Sequence, residues 1–364
     1  MNKYHLVRRT GNSLGRRIVC YLIAVIVSMG IGAILLAALG INPLSYYRDM
    51  LTIGLIGNRY AYKSIEGFLK IFVPLLMVSL ALALSFKMRF WNIGGEGEFL
   101  IGGMCAAAVA FNFGSLPQPV LLLLMFLAAI ISSGLVGLAV AFLKCKFNTN
   151  ETLITLMINY IVLYYVKFFG ETKAPWNFFL RADSERPLFA KFPENAEMPG
   201  IMLGSFKLLY SVIFSLLLTG IIYVYLKYTK QGYEIAVVGD SSDTARYAGI
   251  KVRKVILRTM FLSAALIGLA GAFSASASAT VSSSMTNNAG WTGIVVAWLS
   301  KLSIPGILVT SFLISILQYG CQAASTSYPA IDHNFADLLQ GIILFAVLVS
   351  DFAVTFKIVK RKEA

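Results

Sequence analysis

The chain has 364 residues, of which 58% are hydrophobic and 13% charged. Soluble domains run near about 45–50% apolar and about 25% charged, so this composition cannot cover a water-facing surface and points to an integral membrane protein. The formal net charge of +14, from 31 Lys+Arg against 17 Asp+Glu, then asks which side of a bilayer holds the bases, before it suggests nucleic acid. Cys20, Cys105, Cys145 and Cys321 stand in no metal-ligand or disulfide spacing, which excludes a stapled secreted fold and a zinc site.

A bilayer core takes about 20 apolar helical residues. The first uncharged stretch, Ile18–Tyr47, predicts an uncleaved anchor span, since its apolar core outruns a signal h-region and no small-x-small cleavage site follows. A second span fits 67–86. Phe99–Leu143 is uncharged and double length, with a turn supplied by Asn112–Pro119. Single spans follow at 151–170 and 204–226. Thr259–Ser300 is again uncharged and double length, with a Ser/Thr/Asn/Gly break at 282–290 and a short second half. The last two spans fit 305–323 and 335–356. The expectation is an all-α integral membrane protein of about ten transmembrane helices.

Ten spans put both termini on one side. With the N-terminus inside, 21 of the 31 bases fall on inner segments, and the long segment 171–203 balances four bases with five acids as an external loop. The positive-inside rule therefore predicts N-in and C-in. The chain divides into an inner tail (1–17), a membrane domain (18–356) and a second inner tail (357–364). Within the membrane domain lie the external loop 171–203 and an inner loop at 228–257.

Three segments depart from plain span-and-loop composition. The first, Trp91-Asn92-Ile93-Gly94-Gly95-Glu96-Gly97-Glu98-Phe99, sets two carboxylates among three glycines at the mouth of a span. Buried acids need partners or water, and irregular backbone at membrane depth survives only inside protein or along a cavity. The acids either cap a helix or line a path, and the Gly-Glu-Gly setting of Glu96 suggests a backbone break. In the second, Asn150 or Thr149 can cap a helix opened by Glu151, and Thr152, Thr155 and Asn159 share one face, as interhelical glue or as a path lining. In the third, Asp240 as N-cap, Asp243 three residues on and Gly249 before Ile250 predict a short capped helix over 241–248. Its surface, Ala245, Arg246, Tyr247 and Ala248, suits docking of a soluble partner.

Catalytic signatures are missing. No Gly-Lys dipeptide offers a phosphate loop, and His5 and His333 stand far apart in a tail and an outer loop. No metal cluster or nucleophile motif appears, so neither a cofactor nor an enzymatic role is expected.

At these segments the sequence resembles permease subunits of ATP-binding-cassette importers of the branched-chain amino acid/ribose type, nearest the nucleoside and simple-sugar branch served by basic membrane lipoproteins. The likeness rests on Asn92–Glu98, on Asn150–Tyr160, on Gly232–Ile250 and on Gly290–Ala297, within an ordered match over about 60–360. Glu98 departs from the usual Gln, Asp240 stands where Asn is common, and Trp298-Leu-Ser-Lys301 replaces small residues.

The resemblance implies a type II-like importer fold in the bacterial plasma membrane and a pore subunit that does no bond chemistry. The 241–248 helix would seat in a separate ATPase through Asp240, Asp243, Ala245, Arg246, Tyr247 and Gly249. The implied partners are that ATPase, a second permease chain in a heterodimer, an extracellular binding lipoprotein, membrane lipid and a small-molecule substrate, with no nucleic acid. Purine nucleosides lead as substrate, simple sugars or a riboflavin-like ligand being the alternatives. Asn92, Glu96, Glu98, Asn159 and Trp291 are the candidate path residues. A secondary transporter is the rival class; it would need intramembrane ionisable relays or inverted repeats, and the sequence offers neither.

Overall fold

A computed structural model describes residues 4–8, 14–52, 60–328, 331 and 334–360. His333 and, within the two expected inner tails, residues 1–3, 9–13 and 361–364 lie outside the described residues. In chain order the elements are β1 (Tyr4–Arg8), α1 (Leu14–Ala38), α2 (Pro43–Leu51), α3 (Ala61–Lys87), α4 (Gly95–Asn112), α5 (Gln118–Phe147) and α6 (Glu151–Glu171). A hairpin of β2 (Gly200–Leu203) and β3 (Phe206–Leu209) leads into α7 (Tyr210–Tyr228). Then come α8 (Lys230–Asp240), α9 (Ser242–Tyr247), α10 (Val252–Ser278), α11 (Ala289–Leu299), α12 (Ile304–Ser325), α13 (Asn334–Thr355) and β4 (Phe356–Lys360).

A helix stands at each of the ten predicted positions. Eight of them (α1, α3, α5, α6, α7, α10, α12 and α13) are long and apolar enough to cross a bilayer. The other two are α4, which opens on Glu96 and Glu98, and α11, only 11 residues long. The chain is an all-α, multi-spanning membrane protein.

Several boundaries move for identifiable reasons. The uncharged stretch Ile18–Tyr47 holds the span and the start of a second helix: α1 stops at Ala38, Gly40 turns the chain at φ +74, and Asn42 starts α2 by accepting from the Leu44 and Ser45 N–H groups. Pro43, at the first turn of α2, needs no donor there. Residues 204–209 belong to the hairpin, turned by Gly204 at φ +64, so the span begins at Tyr210 and not at 204. The segment 228–257, expected as an inner loop, is largely helical. In it Asp240 ends α8, and the N-cap of α9 is Ser241, whose hydroxyl accepts from the Thr244 N–H at 3.2 Å. Asp240 loses the capping role because α8 already holds its backbone. The end of α9 follows expectation: Gly249 has φ +75, its N–H donates to Arg246 O, and the Ile250 N–H donates to Ala245 O.

Two compact units divide the chain, residues 65–315 and residues 1–64 with 316–364, the divisions falling within α3 and α12. In the larger unit α10 packs on α4 and α5. Between membrane helices, where apolarity alone gives no preference, close approach of small residues supplies the packing. A Cβ on Gly102 would strike the Gly268 backbone, and one on Gly268 would strike Ser133 and the Ala129 carbonyl. Ser133 Oγ donates to Ala264 O at 2.6 Å and Ser263 Oγ to Ala81 O at 2.7 Å, joining α5 and α3 to α10.

At one end of this unit the 171–203 segment closes over the core. Phe179, Phe192 and Ala196 are buried among α4, α5 and α10, and the Phe192 and Met198 N–H groups donate to Ala279 O and Ser276 O at the end of α10. At the opposite end Met88, Phe90, Val140, Ile235, Val238, Ala245 and Val255 form a second core under α8 and α9.

In the smaller unit α1 packs on α13, with Leu339 filling the space a side chain at Gly32 would need. Tyr46 of α2 is fully buried against Phe335 and Tyr328, and Gln318 donates to Gln340 at 3.0 Å. The Tyr328 hydroxyl donates to Asp49 at 2.7 Å, and that bond, helped by Arg48, holds the Asp49 carboxyl below the usual range. Strands β1 and β4 pair antiparallel, Tyr4 opposite Lys360, so the two terminal segments lie side by side.

Candidate functional site

Most of the sequence-predicted residues converge where α4 and α11 begin. The chain leaves α3 at Lys87 and runs without helix through Asn92 and Gly94 to the start of α4. The segment between α10 and α11 is likewise non-helical, and Met285 within it packs beside Gly103 of α4. Both segments arrive at one point. A Cβ on Gly95 would sit 3.2 Å from Gly290 Cα and 3.7 Å from Val78 of α3. Val78 lies nine residues, or about 14 Å, from the Lys87 end of α3. The two helix N-termini therefore meet well inside the length of α3, away from its Lys87 end.

Two abutting N-termini bring unpaired N–H groups and positive dipole ends together. Glu96 answers both. Its Oε1 accepts from the Gly290 N–H at 2.8 Å and the Trp291 N–H at 3.3 Å, so the first turn of α4 caps α11. Glu98 is buried beside it, with Asn92 Nδ2 donating to both carboxylate oxygens at 3.1 Å. Asn92 Oδ1 in turn accepts from the Gly94 N–H.

From α6, Asn159 Oδ1 accepts from the Gly97 N–H at 2.8 Å and its Nδ2 donates to Ile93 O at 2.8 Å. Thr155 Oγ1 accepts from the Ile93 N–H at 3.1 Å. The irregular backbone at 93–94 is thus satisfied by Thr155 and Asn159 of α6 and by Asn92.

This arrangement changes the reading of the residues. Glu96 does not mark a backbone break; the break lies before it, at 88–94, and Glu96 is already helical. Asn92, Glu96, Glu98 and Asn159 are all less than a tenth exposed and spend their polar atoms on one another, on backbone and, for Glu96, on the Thr286 hydroxyl. On the shared face of α6, Thr155 and Asn159 hydrogen-bond the backbone of residues 93–97. Trp291 alone of the five leaves its ring substantially exposed, at 42%, while its backbone is pinned to Glu96.

One group escaped sequence reasoning. Trp91 and Trp298 stack at 5.2 Å with Phe86 beside them, at the Lys87 end of α3, where aromatic rings suit a membrane boundary. The unusual Trp298 was the available signal, but its partner lies far off in sequence.

The second site is the α8–α9 surface. Tyr247 is 96% exposed, Arg246 pairs with Asp243 at 3.4 Å on the open face, and Asp240 is exposed at the α8 end. Ala245 corrects the expectation of a surface position. It is fully buried against Ile235, Val238 and Val255, because on a six-residue helix one position must face the protein. Glu234 of α8 binds Arg258 of α10 at 3.2 Å, both largely shielded, so α8 and α9 are tied to the long span beneath them.

The family described as branched-chain amino acid transport system permease component matches residues 64–348. The nucleoside ABC transporter permease protein NupB of Lactococcus lactis is 26% identical over 93% of this chain and 92% of its own length. The guanosine ABC transporter permease protein NupP of Bacillus subtilis is 27% identical over 94% and 96%. The glucose ABC transporter permease protein TsgB13 of Haloferax volcanii is 24% identical over 92% and 88%. A solved metal-chelate-type ABC transporter in an inward-facing conformation aligns over 93% of this chain and 99% of its own at 15% identity and a TM-score of 0.48.

Proposed function

The chain belongs to the family of permease components of branched-chain amino acid transport systems, and from that premise we propose that it is a pore-forming subunit of an ATP-driven importer for purine nucleosides. As a multi-pass membrane permease it moves solute and does no bond chemistry itself. The observation that carries the substrate is that two relatives, matched along nearly their whole length, are named for nucleoside and guanosine transport. The same kind of match to a glucose permease supports simple sugars as the second reading.

Membership in an ABC system implies an ATPase and a substrate-binding partner. On our reading the ATPase grips α9 through Arg246 and Tyr247, with Asp243 and Gly249 shaping that helix and Asp240 exposed beside it at the end of α8. A second permease chain completes the pore, an external lipoprotein delivers the solute, and the termini face the cytoplasm. Closure of the ATPase on ATP then moves α8 and α9 together with α10, and α10, packed on α4, passes that movement to the junction of α4 and α11. Trp291, with its exposed ring beside Glu96, is the residue we place on the path. Asn92, Glu98 and Asn159 hold the backbone that positions it.

The test is uptake of labelled guanosine by cells carrying the complete system. Guanosine uptake that ends on ATP depletion, and that unlabelled nucleosides but not glucose compete away, is the expected result. Competition by glucose alone would move the substrate to the second reading. Arg246→Glu is expected to abolish uptake while leaving membrane insertion intact, and normal uptake by that variant would overturn the coupling role of α9.

A further inference from the structure

Beside α9, where α3, α5 and α10 reach one membrane boundary, lies an open groove of about 880 Å³. Arg89, Lys144, Lys146, Arg246, Lys251 and Arg253 line it. Its one lining carboxylate, Glu151, is already paired with Lys144 at 2.9 Å. Among the described residues, Arg89, Lys146, Lys251 and Arg253 form no ion pair.

A second groove of about 540 Å³ continues from the first, sharing Lys251 and Arg253; Lys254 and Arg258 also line it, and its apolar side chains are Leu138, Leu257 and Phe261 of α5 and α10. Leu138 and Phe261 each lie nine residues, or about 14 Å, from the basic ends of their helices at Phe147 and Val252. An anion site thus opens directly into an apolar furrow about as long as one leaflet is deep.

We propose that this pair of grooves binds an anionic phospholipid, its phosphate held by Lys251, Arg253, Arg89 and Lys146 and an acyl chain laid along Leu138, Leu257 and Phe261. Charge complementarity selects the headgroup, since four bases with no ion pair among the described residues line the groove and its one acid is committed to Lys144. The furrow selects the lipid over other anions, because a soluble phosphate or an acidic peptide of the ATPase would leave it empty. Lys146 and Arg253 also lie against the Phe142 ring, at 5.5 and 5.9 Å, so the bases are presented on an aromatic rim and not extended into water. With Arg246 and Ser242 of α9 on the same wall, the headgroup would join α9 to the ends of three spans. The proposal does not depend on which solute is carried.

The experiment is native mass spectrometry of the full-length chain released from nanodiscs of phosphatidylglycerol mixed with phosphatidylcholine. Wild type is expected to retain phosphatidylglycerol selectively. Removing one base near a membrane surface weakens an anionic lipid about fivefold, so Lys251→Gln with Arg253→Gln is expected to cut that retention about 25-fold and leave phosphatidylcholine unchanged. Leu257→Trp, with every charge intact, fills the furrow and is expected to lower retention as well. Equal retention by wild type and both variants would overturn the proposal. So would free glycerol phosphate binding as tightly as the lipid, which assigns the groove to a soluble anion. Loss of ATPase co-purification with lipid retention unchanged would assign it to the ATPase.

Discussion

At the residue scale, burial and bonding separate two jobs that residue type alone merges. A carboxylate inside a membrane span is costly unless its partners are built in, and Glu96 has two N–H donors aimed at one oxygen. Glu96→Gln keeps an acceptor oxygen at that point, whereas Glu96→Ala orphans the Gly290 and Trp291 N–H groups at about 1–3 kcal/mol each. Thermal unfolding of the purified chain should therefore show Gln near wild type and Ala markedly destabilised. Equal uptake loss in both variants without a change in stability would make Glu96 a solute contact instead. Asn159→Ala removes one acceptor and one donor that hold residues 93–97 to α6, and a similar destabilisation is expected from the same measurement. The sequence made these residues conspicuous as polar groups in apolar surroundings. It did not disclose their roles, because each partner comes from another span: Gly290 stands 194 positions from Glu96.

At the element scale, the spans were legible because a run free of charge is a direct record of solvation by lipid. Breaks without charge were harder. Residues 39–42 are as apolar as their surroundings, and only Gly40 and Asn42 mark the end of α1. The β3 boundary does carry a charge, Lys207, but its aromatic and aliphatic neighbours extend the hydrophobic run into α7. Helix packing rests on small residues whose spacing says little until two helices meet. Gly268→Val on α10 would drive a branched side chain into Ser133 and the Ala129 carbonyl, and a loss of about 3 kcal/mol or outright misfolding is expected. Gly220→Ala on α7 is the control, since nothing lies within 4 Å of a Cβ there, and fluorescence-detected size exclusion should separate the two. At Gly249, φ +75 makes Gly249→Val cost about 1–2 kcal/mol locally in α9. Weaker ATPase co-purification with unchanged thermal stability is the expected outcome.

At the scale of the whole molecule, the surplus of bases gains a structural counterpart. In the larger unit the basic ends of α3, α5, α7 and α10 gather with α8 and α9 around one core, and the acid-balanced 171–203 segment closes the opposite core. Charge asymmetry and fold thus divide this unit the same way, as they would if the bilayer lay between its two ends. The direction of that division is open to chemical labelling. After replacing Cys20, Cys105, Cys145 and Cys321 with alanine, Glu194→Cys should react with a membrane-impermeant maleimide in intact cells, because Glu194 sits on the closing segment. Tyr247→Cys, at the 96% exposed tip of α9, should react only once the membrane is opened. The reverse pattern would invert the topology and detach α9 from any cytoplasmic ATPase. Labelling of both positions in intact cells would break the link between charge and sidedness on which the ten-span orientation rests.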